Sequence, residues 1–172
     1  MISVFEKGTR VVILTGAGIS AESGIRTFRA SDGLWEDHRI EDVATPFAWM
    51  RDPELVWGFY QGRRRQLLEV IPNPAHEALV KLEKFLGDDF LLITQNVDDL
   101  HSRAGSTKLI HMHGELQKLR CEQCGEVVVA MDEEHLADDY VACTVCGDER
   151  LRPHIVWFHE MPLHMREIDQ AV

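Results

Sequence analysis

Three sets of residues in this 172-residue chain have types and spacings that chemistry requires. Cys121-x-x-Cys124 and Cys143-x-x-Cys146 are separated by 18 residues. Two such pairs can present four thiolates to one tetrahedral ion, which points to structural zinc with no open position for a reactant. Gly125 and Gly147 follow the second cysteine of each pair and allow each knuckle to turn tightly. Four buried free thiols are the alternative. A redox pair is disfavoured, because neither pair follows a strand and opens a helix. The second set is Gly16-Ala17-Gly18-Ile19-Ser20-Ala21-Glu22-Ser23-Gly24. Glycines at a strand-to-helix turn let the backbone approach a ligand, and the helix start offers N–H groups to a phosphate. The third glycine comes late for a G-x-G-x-x-G pattern, so an ordinary tight turn also fits. Gly24-Ile25-Arg26-Thr27-Phe28-Arg29 follows, and an aromatic flanked by arginines suggests a flap over a charged ligand.

The third set lies downstream. Gln95-Asn96-Val97-Asp98 could read a polar ring substituent, although Asn and Asp also end strands and cap helices. His111-Met112-His113-Gly114-Glu115 supplies histidines. An imidazole at neutral pH is a natural general base, but it serves structural roles as well.

The elements that must position these groups follow from the apolar runs. Val11-Val12-Ile13-Leu14 ends at Thr15-Gly16, and Phe90-Leu91-Leu92-Ile93 ends at Thr94-Gln95-Asn96. Unalternating runs of this length suit strands of a parallel sheet buried on both faces. Leu109-Ile110 and Ile155-Val156-Trp157-Phe158 are weaker candidates of the same kind. Asp52-Pro53 opens a helix to about Val70, and Asn73-Pro74 opens another to about Leu86, closed by Gly87. Strand–helix–strand alternation implies an α/β fold, with ligands at the carboxyl ends of its strands.

Composition narrows the function. Apolar residues make up 45%, enough for a core. Lys plus Arg number 18 against 29 Asp plus Glu, giving 18 − 29 = −11, which disfavours an electrostatic nucleic-acid binder. Residues 121–150 hold nine acidic residues, one basic residue and all four cysteines, so they read as an inserted module needing metal to hold its shape. Neither a membrane span nor a signal pattern is present, so the expectation is a cytoplasmic chain whose partners are neither membrane nor nucleic acid.

Taken in order, GAGISAESGIRTFR (16–29), TQNVDDLH (94–101), HGE (113–115), the two cysteine pairs and RPHIVWF (152–158) resemble the sirtuins, a family of NAD-dependent protein-lysine deacylases. The resemblance covers nearly the whole chain. It implies an α/β fold with a Rossmann-like parallel sheet, incomplete at the C-terminus, and inserted helical and zinc-ribbon modules. The NAD-binding part would comprise 1–35, 87–118 and 151–172, with a helical module at 36–86 and a zinc module at 119–150. The resemblance assigns NAD contacts to Gly16, Ala17, Gly18, Ser20, Glu22, Ser23, Phe28, Arg29, Trp35, Gln95, Asn96, Val97 and Asp98. It makes His113 the catalytic base, and Zn2+ the ion of Cys121, Cys124, Cys143 and Cys146. It also implies acylated-lysine proteins or peptides as substrates, with nicotinamide and O-acyl-ADP-ribose as products.

In the helix opened by Pro53, an inward stripe reads Val56, Phe59, Tyr60, Arg63, Leu67. An arginine on such a stripe is costly without an anionic partner. Tyr60 and Arg63 resemble the Tyr-x-x-Arg pair of the sirtuins that remove succinyl and malonyl groups. There the guanidinium forks onto the distal carboxylate and the phenol adds a hydrogen bond. The alternative is that Arg63-Arg64-Arg65 is a solvated run. Two departures from the family stand out. His159 and His164 occupy positions where related chains carry glycine, and Val172 is followed by further strands in family members. Without those strands the expectation is weakened NAD binding and little turnover. A non-catalytic relative that binds zinc and part of NAD is the rival reading.

Overall fold

The computed structural model describes residues 8–26, 34–35, 37–133, 135–137 and 139–172. Strand β1 (Val11–Thr15) leads through a glycine turn into the single-turn helix α1 (Gly18–Ala21). A short hairpin, β2 (Leu34–Trp35) and β3 (His38–Arg39), precedes four helices: α2 (Ile40–Val43), α3 (Pro46–Arg51), α4 (Pro53–Leu67) and α5 (Pro74–Leu86). Then come β4 (Phe90–Thr94), α6 (Leu100–Ala104), β5 (Leu109–His111), β6 (Gly114–Arg120), β7 (Val127–Val129), β8 (Arg152–Ile155) and α7 (Met165–Ala171).

The first sheet is parallel, in the order β1-β4-β5. Val11 to Thr15 register on Phe90 to Thr94, and Leu92 to Thr94 register on Leu109 to His111. This is the expected Rossmann-like arrangement, and it brings the ends of all three strands to one edge. The central strand is buried, as its apolar run requires. In β1, however, Val12 and Leu14 are exposed, at 38% and 60%, so that strand is covered on one face rather than both.

The two long helices start as their sequences direct. Asp52 accepts a hydrogen bond from Leu55 N at 3.1 Å, with Pro53 in the first turn. Asn73 and His76 form a reciprocal capping box at the head of α5. Helix α4 ends at Leu67, three residues short of Val70. The Arg103 guanidinium donates to Leu67 O (2.9 Å) and Val70 O (2.6 Å), satisfying carbonyls that the helix leaves open.

The second sheet is antiparallel, in the order β7-β6-β8. Here the sequence expectation needs correction. The fourth strand is Arg152–Ile155 rather than 155–158, and it pairs with β6 instead of joining the parallel sheet. Its apolar residues are spent on a core shared with the helices: Val56, Trp57 and Tyr60 of α4 pack with Leu116, Leu119, Ile155 and Trp157. Cys121 and Cys143 belong to the same cluster.

Candidate functional site

The turn after β1 is short, and α1 has one turn. The N–H groups of Ile19 and Ser20 are already spent on Gly16 O (3.1 Å) and Ala17 O (3.2 Å). A phosphate would therefore meet the loop backbone rather than the helix-start N–H groups that the sequence suggested, two of which are engaged within the turn. A Cβ on Gly16 or Gly18 would meet no protein atom within 4 Å. Internal packing thus does not require glycine there, whereas close approach of an external group would. The loop is pinned from two sides. Asn96 Nδ2 donates to the buried Ser20 Oγ (3.0 Å), and Asn73 Nδ2 donates to Ser23 Oγ (3.0 Å) and Ile19 O (2.7 Å).

The segment after β4 is held as tightly. Gln95 N donates to Thr15 O (2.9 Å), and Asn96 N to Thr94 Oγ1 (3.1 Å). Asp98 Oδ1 accepts from Leu100 N (3.1 Å). Asp98 therefore closes an Asx turn just ahead of α6, whose cap position is Asp99, while also facing the cavity described below. At the same edge, Thr15 Oγ1 donates to Thr94 Oγ1 (2.9 Å), which obliges it to accept from His101 Nε2 (3.0 Å). His101 is buried against His76, with ring centroids 4.8 Å apart. Burial, with the neighbouring His76 and His111, lowers its pKa to about 4. It is a neutral pin between β1 and β4.

His113 sits between β5 and β6. Met112 N donates to Thr94 O (3.0 Å), and Val156 N donates to His113 O (2.8 Å), so both sheets fix its backbone. Its Nδ1 lies 3.0 Å from Gln95 O. A carbonyl only accepts, so Nδ1 carries the hydrogen and Nε2 has its lone pair free to take a proton. The next residue makes the geometry possible: Gly114 has φ +81, and a Cβ there would lie 2.1 Å from His154 O.

These groups surround one cavity of about 540 Å³. Ala17, Ser20, Gln95, Asn96, Asp98 and His113 line it, as do Tyr60 and Arg63 from α4. Val97 is also on the wall, whereas Gly16, Gly18, Glu22 and Ser23 belong to the loop but not to the wall. Phe28 and Arg29 lie outside the described residues, and the backbone of Trp35 pairs with His38 in the hairpin. The α4 stripe is inward throughout: Val56 and Tyr60 are fully buried, and Arg63 is 6% exposed. Burial pushes the Tyr60 phenol well above its usual range, so it keeps its proton. The arginine run is not a solvated face. Arg64 is buried too, donating to Leu116 O (2.8 Å), and burial lowers its pKa to about 10; only Arg65 is exposed.

Arg26, one of the two arginines of the expected flap, is on the wall, and several other wall residues had been given no role: Ile25, Trp157, Glu160 and Pro162. Ile25 stood in the glycine-loop motif and Trp157 in the RPHIVWF segment. Motif membership was their only signal, because the chain path that brings them to the cavity is tertiary. His159 is also on the wall, exposed, with φ +73, and His164 has φ +59. Both backbones adopt the left-handed conformation, which explains why glycine would suit these positions.

The four cysteines converge as their spacing predicts, with all Sγ atoms within 4.8 Å of one another. Cys121 and Cys146 are 3.5 Å apart, and Cys124 and Cys143 3.7 Å. Four sulfurs about 2.3 Å from one tetrahedral ion lie roughly 3.8 Å apart, so the set fits zinc. The two knuckles are equivalent: Gly125 N bonds Cys121 O (3.1 Å), and Gly147 N bonds Cys143 O (3.0 Å).

The Sir2 family profile matches residues 16–172. A Shigella flexneri protein named NAD-dependent protein deacylase is 61% identical over 165 residues, covering 95% of this chain and 60% of its own length. A Sir2 homologue solved as an NAD complex aligns with a TM-score of 0.78 at 46% identity, covering 91% of this chain and 60% of that one. A mutant Sir2 homologue with ADP ribose aligns at 0.81 and 43% identity, covering 96% and 64%. The chain thus spans about 60% of the length of the curated relatives it matches. Among the described residues no helix is long and apolar enough to cross a membrane. With the profile running from the glycine loop to the last residue, on a matching fold, the chain belongs to the Sir2 family.

Proposed function

We propose that this protein removes acyl groups from protein lysines in an NAD-dependent reaction, with a preference for succinyl and malonyl groups, releasing nicotinamide and O-acyl-ADP-ribose. One observation carries the reading: a single cavity collects Ala17 and Ser20 of the glycine loop, Asn96, Asp98 and His113, with Tyr60 and Arg63 also on its wall. NAD, when bound, supplies an electrophilic ribose carbon and a departing nicotinamide. The open backbone at Gly16 and Gly18 suits its phosphates. Gln95, Asn96 and Asp98 offer amide and carboxylate groups to its nicotinamide and ribose. His113 Nε2, freed by the Nδ1 contact to Gln95 O, takes a proton from a ribose hydroxyl. Arg63, with the proton-bearing Tyr60 beside it, receives the distal carboxylate of an acidic acyl group. Zinc at the four cysteines has a structural role. The division into an NAD-binding part (1–35, 87–118, 151–172), a helical module (36–86) and a zinc module (119–150) belongs to the same proposal.

The test mixes the protein, at high concentration so that slow turnover registers, with NAD and a succinyl-lysine peptide. Nicotinamide release is expected above a His113→Asn control. An Arg63→Met variant should lose desuccinylation far more than deacetylation. NAD binding without peptide-dependent nicotinamide release would favour a non-catalytic relative instead.

A further inference from the structure

The cavity wall contains a buried contact that bears on specificity. Trp157 is 2% exposed and Tyr60 fully buried, and Trp157 Nε1 donates to Tyr60 Oη at 3.0 Å. An indole nitrogen donates only, so the phenol oxygen is the acceptor in this contact, and its own hydrogen points away from the indole. Trp157 is itself fixed. The guanidinium carbon of Arg152 lies 3.4 Å from its ring centroid, and its backbone N–H donates to Glu160 Oε2 (2.8 Å). Glu160 is clamped by Arg152 at 2.9 Å through each of its terminal nitrogens, and by Arg120 at 3.0 Å. Phe158 N donates to Ala44 O (3.0 Å), tying the same segment to the end of α2.

We infer that Trp157 is a positioning residue for specificity: its N–H fixes Tyr60 as a hydrogen-bond donor beside Arg63, favouring acyl groups that end in a carboxylate. A carboxylate only accepts, so it gains from a phenol that presents hydrogen and loses from one that presents a lone pair. The N–H received by the phenol oxygen also polarises its O–H and strengthens it as a donor. A neutral acetyl group has no terminal anion to benefit. This inference rests on the acidic-acyl reading of Tyr60 and Arg63.

The experiment replaces Trp157 in two ways. Trp157→Phe keeps an aromatic ring under Arg152 and deletes the donor. Incorporation of 3-benzothienylalanine puts sulfur in place of the N–H with nearly the same shape, and keeps the test open if the Phe variant folds poorly. The readout is the ratio of kcat/KM for succinyl-lysine and acetyl-lysine peptides of one sequence with NAD. The same ratio taken from dissociation constants serves where turnover is slow. The succinyl-to-acetyl ratio should fall about tenfold, the scale of one hydrogen bond to a charged group, chiefly through KM. In a Tyr60→Phe background the same replacements should leave the ratio unchanged. A ratio that holds in both Trp157 variants, or falls equally without the Tyr60 hydroxyl, overturns the inference. Arg63→Met separates the two levels. If it collapses the ratio while both Trp157 variants do not, only the role of Trp157 fails. If it too leaves the ratio intact, the acidic-acyl reading fails, and the inference with it.

Discussion

Acid should weaken this fold through His101, and the size of the effect follows from its surroundings. The ring is 1% exposed, donates to Thr15 Oγ1 and packs against His76. Its pKa falls from 6.5 to about 4, with burial the largest cause. A depressed histidine pKa means that the unfolded chain takes the proton first. The stabilisation is therefore complete above about pH 6.5 and is lost as pH falls toward 4. The full displacement corresponds to roughly 3 kcal/mol at 1.36 kcal/mol per pKa unit, and because pH 4.5 still lies above the folded-state pKa of about 4, about 2 kcal/mol of it is lost by that pH. His76 and His111 are depressed by burial in the same direction and add to the slope. Urea unfolding followed by circular dichroism at pH 7.5, 6.5, 5.5 and 4.5 measures it, for the wild type and for His101→Asn. The asparagine amide can still donate to Thr15, so the variant loses packing at every pH but has no proton to gain at that position. The wild type should lose about 2 kcal/mol more than the variant between pH 7.5 and 4.5. Zinc release on thiolate protonation affects both proteins and cancels in the difference. Parallel pH profiles would refute the assignment of a buried neutral His101.

Gly114→Ala should cost about 3 kcal/mol or more, because its Cβ would lie 2.1 Å from His154 O at a φ of +81; a thermal melt within a degree or two of wild type would contradict that geometry. Cys121→Ser should lower bound zinc, measured by a chelator assay. It should also loosen Glu122, which accepts from Trp49 Nε1 (3.1 Å) and pairs with Arg152 (3.4 Å), so near-ultraviolet circular dichroism should change; full zinc content would count against the four-cysteine site. His159→Gly should stabilise by about 0.5–1 kcal/mol, since the backbone at φ +73 favours glycine, and a lower melting temperature would argue that the imidazole makes a net favourable contact.

The sequence by itself determined the local parts whose causes are local. Asp52-Pro53 and Asn73-Pro74 start their helices because capping needs only neighbouring residues. The cysteine knuckles form because each is a tight turn of fixed spacing, and the run from Phe90 to Ile93 becomes the buried centre of the parallel sheet. The inward placement of Tyr60 and Arg63 followed from helical periodicity. Tertiary structure decided what depends on partners distant in the chain. Arg63 and Arg64 look alike in sequence, yet packing against β6 buried Arg64 on Leu116 O while Arg63 reached the cavity. The apolar run at 155–158 was legible as apolar, but its pairing was not: β8 joined β6, and Trp157 was delivered onto Tyr60, 97 residues away in sequence. The proton arrangement of His113 likewise depends on the carbonyl of Gln95, which only the meeting of two strand ends supplies. Periodicity shows which face a side chain takes, but the partner it meets there is set by how separate elements pack.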